Sequence, residues 1–148
     1  MSRRSEAHRS LPILGWREWV QLPSLTPHLV KAKVDTGART SSLHAFDLRV
    51  EDGVAHFAVH PHQDTDDDET WVELPVVEHR EVRPSTGEAE ERPVVVVPVV
   101  VGAVEIEVEL TLTDRDSMGF RMLLGRTALT DRFLVDPGVS YAMGRRPE

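Results

Sequence analysis

Cysteine is absent from the chain, which excludes disulfides and thiolate metal sites and makes a reducing compartment, the cytoplasm, the expected location. No apolar run is long enough for a membrane helix. The longest, Val94 to Val104, is broken by Pro98 and has about half of the ~20 residues a spanning helix needs. Basic residues are in deficit, 17 against 25 acidic ones, and the net charge of −8 argues against a nucleic-acid backbone as principal partner. No apolar segment follows the polar, basic start MSRRSEAHRS, so no secretory signal is expected and residues 1–12 read as a disordered tail. There is no Gly-x4-Gly-Lys-Ser/Thr loop to cradle phosphates and no His-Glu-x2-His pair to hold a catalytic zinc.

The chain does have enough length for a core. At 148 residues it fits one domain, here residues 13–143 with a short tail at 144–148, and such a domain buries roughly two thirds of its unfolded surface. Its patterning is that of strands. In Val104–Leu112, five apolar residues alternate with Glu105, Glu107, Glu109 and Thr111, the signature of a strand with one wet face. Gly102-Ala103 separates it from the β-branched Val94–Val101, which predicts a hairpin, with Pro98 at a bulge or an edge. Glu51-Asp52-Gly53 predicts a second hairpin between Leu43–Val50 and Val54–His60. Trp71–Val82 reads as one extended stretch leading through Pro84-Ser85-Thr86-Gly87 into a third. Only Arg126–Asp131 invites a helix, and a strand-like Arg132–Val135 follows it. Roughly seven or eight short strands with regular turns predict an all-β fold, a small barrel or sandwich with one short C-terminal helix.

Two short elements carry chemistry. An apolar strand stops at Asp35-Thr36-Gly37-Ala38 near the N-terminus, and another, Met122-Leu123-Leu124, stops at Gly125-Arg126 near the C-terminus. In this order the pair resembles the retropepsin-like aspartic proteases. A resemblance running from Gly15 to Tyr141 is to the bacterial family named for ATP-dependent zinc proteases: Gly15-Trp16-Arg17-Glu18, Lys31 to Ala45, Val82-Arg83 with Ser85 and Gly87, Arg92-Pro93-Val94, Asp114-Arg115-Asp116 with Met118, and Met122 to Arg126. That resemblance implies a small closed barrel of the acid-protease type, association with an ATP-grasp ligase that adds glutamate to protein tails, and a peptide or protein-tail substrate.

The resemblance further implies that Asp35 is catalytic, with Thr36 and Gly37 completing its loop. Aspartic-protease chemistry needs two carboxylates sharing a proton, one acting as base on water and the other donating to the carbonyl oxygen. A single Asp-Thr-Gly therefore implies a homodimer in which two copies of Asp35 meet. Ala38, Arg39, Ser85 and Gly87 are the expected substrate-binding positions, Ser85 and Gly87 at the tip of a flap-like Val82–Val94 hairpin, and Gly125 with Arg126 is expected to support the Asp35 loop. Lys31, Lys33, Arg39, Arg83 and Arg92 could together favour an acidic peptide.

Two readings from other classes stand beside this one. The same fold could be a non-catalytic peptide-binding module or adaptor for the ligase. Alternatively, His56, His60 and His62 could hold zinc for a metal-dependent hydrolase, since on a continuous strand they would share one face. Otherwise neither zinc nor any other cofactor is expected. The acidic run Asp64–Glu69 is expected to be a solvated loop, because it lacks the Gly and the ligand spacing of a calcium loop.

Overall fold

The computed structural model describes residues 10–62, 65–83, 87–114 and 119–144. Twelve strands and one short helix lie among them: β1 Ile13–Leu14, β2 Arg17–Gln21, β3 Val30–Val34, β4 Ser41–His44, β5 Phe46–Glu51, β6 Val54–Val59, β7 Thr70–Pro75, β8 Glu78–Val82, β9 Glu90–Val101, β10 Val104–Thr113, β11 Met122–Leu124, α1 Arg126–Leu129 and β12 Leu134–Val135. The fold is all-β with one helix of four residues. The expected tails, residues 1–12 and 144–148, fall mostly outside the described residues.

The two hairpins with the strongest turn signals form because their glycines can adopt what the turns demand. Asp52 and Gly53 both take positive φ, 52° and 75°, as a type I′ turn requires, and β5 pairs with β6 across them. Gly102 takes φ 59°, and β9 and β10 pair antiparallel from Val101↔Val104 to Val94↔Thr111. Glu105, Glu107 and Glu109 point to solvent from β10, while Ile106, Val108, Leu110 and Leu112 are buried. Pro98 sits where β9 can spare a donor. Its pairing with β8 ends at Val94 and its pairing with β2 begins at Val100, so Pro98 lies on a locally open edge.

Ladder pairings run β10–β4–β11–β3–β2–β9 and return from β9 to β10, with β8 added to the far edge of β9. The side chains they enclose include Val20, Val34, Leu43, Val97, Leu110 and Leu124, all at most 7% exposed. A second sheet, β5–β6–β7, adds Phe57 and Ala55 to the same core.

The stretch Trp71–Val82 is two strands rather than one. Pro75 cannot donate to a ladder, and beyond it the chain changes sheets: Val76 N–H donates to the Gly53 carbonyl beside β6, and Val77 N–H donates to the Val94 carbonyl on β9. β1 pairs in parallel with β12, joining the two ends of the domain. Glu18 reinforces that junction. It is fully buried on the core side of β2, and its carboxylate accepts the N–H groups of Gly15 at 2.6 Å, Ala142 at 2.8 Å and Met143 at 3.1 Å.

Candidate active site

β3 and β11 run parallel and adjacent, with Val34 opposite Leu124, so the two sequence elements that stood out end side by side. Asp35 leaves β3 with its N–H donated to the Leu124 carbonyl at 2.9 Å. Its half-buried side chain then turns back on its own loop, where Oδ1 accepts the Gly37 N–H at 2.9 Å. Such an Asx-type bond fixes the carboxylate's direction without burying it. A Cβ on Gly37 would lie 3.2 Å from that oxygen, crowding the acceptor.

The loop is laced to the segment after β11. Ala38 donates its N–H to the Asp35 carbonyl, and its own carbonyl accepts the Arg126 N–H at 2.8 Å; the Arg39 carbonyl accepts the Thr127 N–H at 3.1 Å. From the start of α1, Arg126 reaches back, and Nη1 donates to the carbonyls of Thr36 at 3.1 Å and Gly37 at 3.0 Å. Gly125 N–H donates to Ser41 Oγ, and a Cβ at Gly125 would collide with the Thr40 carbonyl and lie 2.9 Å from that of Ala38. A glycine is required there for space, since its φ of −100° suits any residue.

Of the expected substrate-binding positions, Ala38 is half-buried, Arg39 is exposed on the loop, Gly87 is an exposed bend and Ser85 lies outside the described residues. One member of the expected basic group is withdrawn from the surface. Arg92 is buried, with Nε donating to Glu90 Oε1 at 2.5 Å, so its charge is neutralised inside the fold. Lys31 and Lys33 lie on the outer face of β3, Lys31 over the Trp19 ring at 5.4 Å. Trp19 stacks on Tyr141, and Trp16 meets Phe120 edge-on.

The three histidines expected to share a face go to separate carboxylates. His56 faces its cross-strand neighbour Glu73. His60 stacks on Phe46 at 3.7 Å, between Asp66 and Glu69, and His62 meets Asp68. Pro61 ends β6, so the strand periodicity that would align them stops after Val59. The acidic run is accordingly not a purely solvated loop. Bonding to His60, then to Arg121, holds the Asp66 carboxyl below the ordinary carboxylate range, and bonding to His62 does the same for Asp68. Arg121 and His28 escape sequence reasoning altogether, and Glu18 enters it only within the Gly15–Glu18 run, without a role, because residues 142 and 143 that it also binds lie far along the chain.

A family model described as RimB-like, "Retropepsin-like aspartic endopeptidase RimB", matches residues 13–146. Among curated relatives, a "Probable alpha-L-glutamate ligase" of Shewanella pealeana is 44% identical over 139 residues, covering 90% of this chain and 30% of the relative. One of the same description from Parasynechococcus marenigrum is 46% identical over 136 residues, 89% of this chain and 29% of the relative. The chain thus spans about three tenths of the length of these relatives. Among solved structures, the Legionella pneumophila protein Lpg0085, of unknown function, aligns with a TM-score of 0.74 at 28% identity over 91% of this chain and 100% of that one. The chain belongs to the RimB-like family of retropepsin-like aspartic endopeptidases.

Proposed function

We propose that the protein is a homodimeric aspartic endopeptidase in which Asp35 from each of two copies activates one water. The ionised carboxylate takes a proton from the water as its oxygen attacks the peptide carbonyl carbon, while the protonated carboxyl gives its proton to the carbonyl oxygen. On collapse of the tetrahedral diol the C–N bond breaks, the proton taken from water passes to the departing amine, and one hydroxyl returns its proton to the second carboxylate as the carbonyl re-forms. The observation that carries this reading is the construction around Asp35: a half-buried carboxylate at a strand end, aimed by the Gly37 N–H and held by a loop whose carbonyls are gripped by Arg126. The ring of strand pairings supports reading the scaffold as the closed barrel of the acid proteases. No helix among the described residues is long and apolar enough to cross a membrane. We place the protein in the cytoplasm, where a glutamate-tailed protein is the proposed substrate because its relatives are described as glutamate ligases.

Asp35→Asn tests the proposal. The variant should retain its dimer by sedimentation and lose hydrolysis of a peptide ending in several glutamates, by a factor of 10³ or more. Undiminished hydrolysis would refute the role of Asp35, and a monomer that cleaves would refute the shared site. The relatives' description also favours a second reading, a module that presents the tail to a ligase without cutting it. In that case the parent protein would bind the glutamate peptide and leave it intact at every concentration.

A further inference from the structure

At the opposite end of β3 from Asp35 lies a second concentration of ionisable groups. His28 precedes β3 and Asp35 follows it, so five strand residues, about 17 Å of chain, separate the two ends. There, His62 Nε2 lies 2.5 Å and His28 Nε2 lies 3.9 Å from Asp68 Oδ2. The two imidazole rings are 5.1 Å apart, and one ligand atom from each of the three residues falls within 4.8 Å of the others. Two neighbouring acids are otherwise engaged. Asp66 meets Arg121 and His60, and Glu69 meets His60, which leaves Asp68 facing both imidazoles. Arg121 also donates to the carbonyls of His62 and Thr65, so the backbone carrying His62 is fixed from the β11 side.

We propose that His28, His62 and Asp68 form a binding site for a zinc-type divalent cation, distinct from the Asp35 chemistry. Two imidazole nitrogens and one carboxylate oxygen suit borderline cations such as Zn²⁺ and Co²⁺, and water completes the fourth position. They do not suit Ca²⁺ or Mg²⁺, which demand oxygen ligands. Bonds of about 2.0–2.1 Å in a tetrahedron set ligand atoms about 3.4 Å apart. The separations here, from 2.5 Å to within 4.8 Å, bracket that value. The cation's task is mechanical: it ties the segment bearing Asp68 to the turn that launches β3. None of this depends on whether the protein is a peptidase.

The test uses the full chain, stripped with a chelator, and ZnCl₂ as probe. Titration calorimetry should give one saturable site per chain, and zinc should raise the melting temperature by several degrees. Co²⁺ in place of Zn²⁺ should give the visible absorption of a tetrahedral site with nitrogen and oxygen ligands. His28→Ala and Asp68→Asn should each weaken zinc binding at least tenfold and abolish the thermal shift. Asp68 is exposed and the Asn change nearly isosteric, so that variant stays folded, as circular dichroism would verify. His56→Ala should bind zinc like the parent. Absence of saturable binding, unchanged affinity in Asp68→Asn, or an equal loss in His56→Ala would each overturn the site.

Discussion

Glu18 offers the sharpest test of how this domain is held together. Its carboxylate accepts three backbone N–H groups, two on Oε2 from Gly15 and Ala142 and one on Oε1 from Met143. A buried donor left without an acceptor costs about 1–3 kcal/mol, and bonds to a charged group lie toward the upper end of what hydrogen bonds contribute. Gly15 is buried and would bear the full cost in Glu18→Ala, whereas Ala142 is exposed and Met143 half-buried, so both can turn to water. The loss should be about 3–4 kcal/mol, which for a chain of this size lowers the melting temperature by about 10 °C. Glu18→Gln can keep its oxygen at the doubly used position and forfeit only the Met143 bond, at about 1–2 kcal/mol. Differential scanning calorimetry with urea titration would measure both. An alanine variant melting within about 2 °C of the parent, or a glutamine variant as damaged as the alanine one, would refute the account.

Two further substitutions separate support of the Asp35 loop from stability. Gly125→Ala drives a methyl into the Thr40 and Ala38 carbonyls, both rigid backbone, and should cost about 3 kcal/mol in urea denaturation, with Gly125→Ser no better. Arg126→Ala removes two bonds to carbonyls from an exposed side chain, so stability should change by no more than about 1 kcal/mol. Peptide turnover should nonetheless fall at least ~10-fold as the loop drifts. A turnover loss no larger than the stability change implies would show that the guanidinium does not position the site.

What the sequence reveals and conceals here follows from the range over which each signal acts. The Asp52-Gly53 turn and the glutamate alternation of β10 are local, and the fold keeps both. The pairing of Asp35 with Gly125-Arg126 is long-range and is legible through the resemblance to the retropepsin-like proteases, which implies that the two elements lie side by side. The role of Glu18 left no such trace: an acid within a strand normally faces water, and the backbone N–H groups of residues 15, 142 and 143 make the core side habitable. The acidic run looked uniform because charge density does not disclose partners. His60, His62 and Arg121 divide it among themselves only after β6 and β11 are in place.

The parallel pairing of β1 with β12 also sets a timetable for the nascent chain. Leu14 emerges well before Val135, yet the two are neighbours in the finished ladder. At about 5–20 residues per second, translation leaves β1 waiting about 6–24 s for its partner. Throughout that interval β2 carries an anionic Glu18 whose acceptor role toward residues 142 and 143 is unfilled. β12 thus acts as a clasp, and a ribosome that stalls before residue 134 holds a chain whose β1 still lacks its ladder partner.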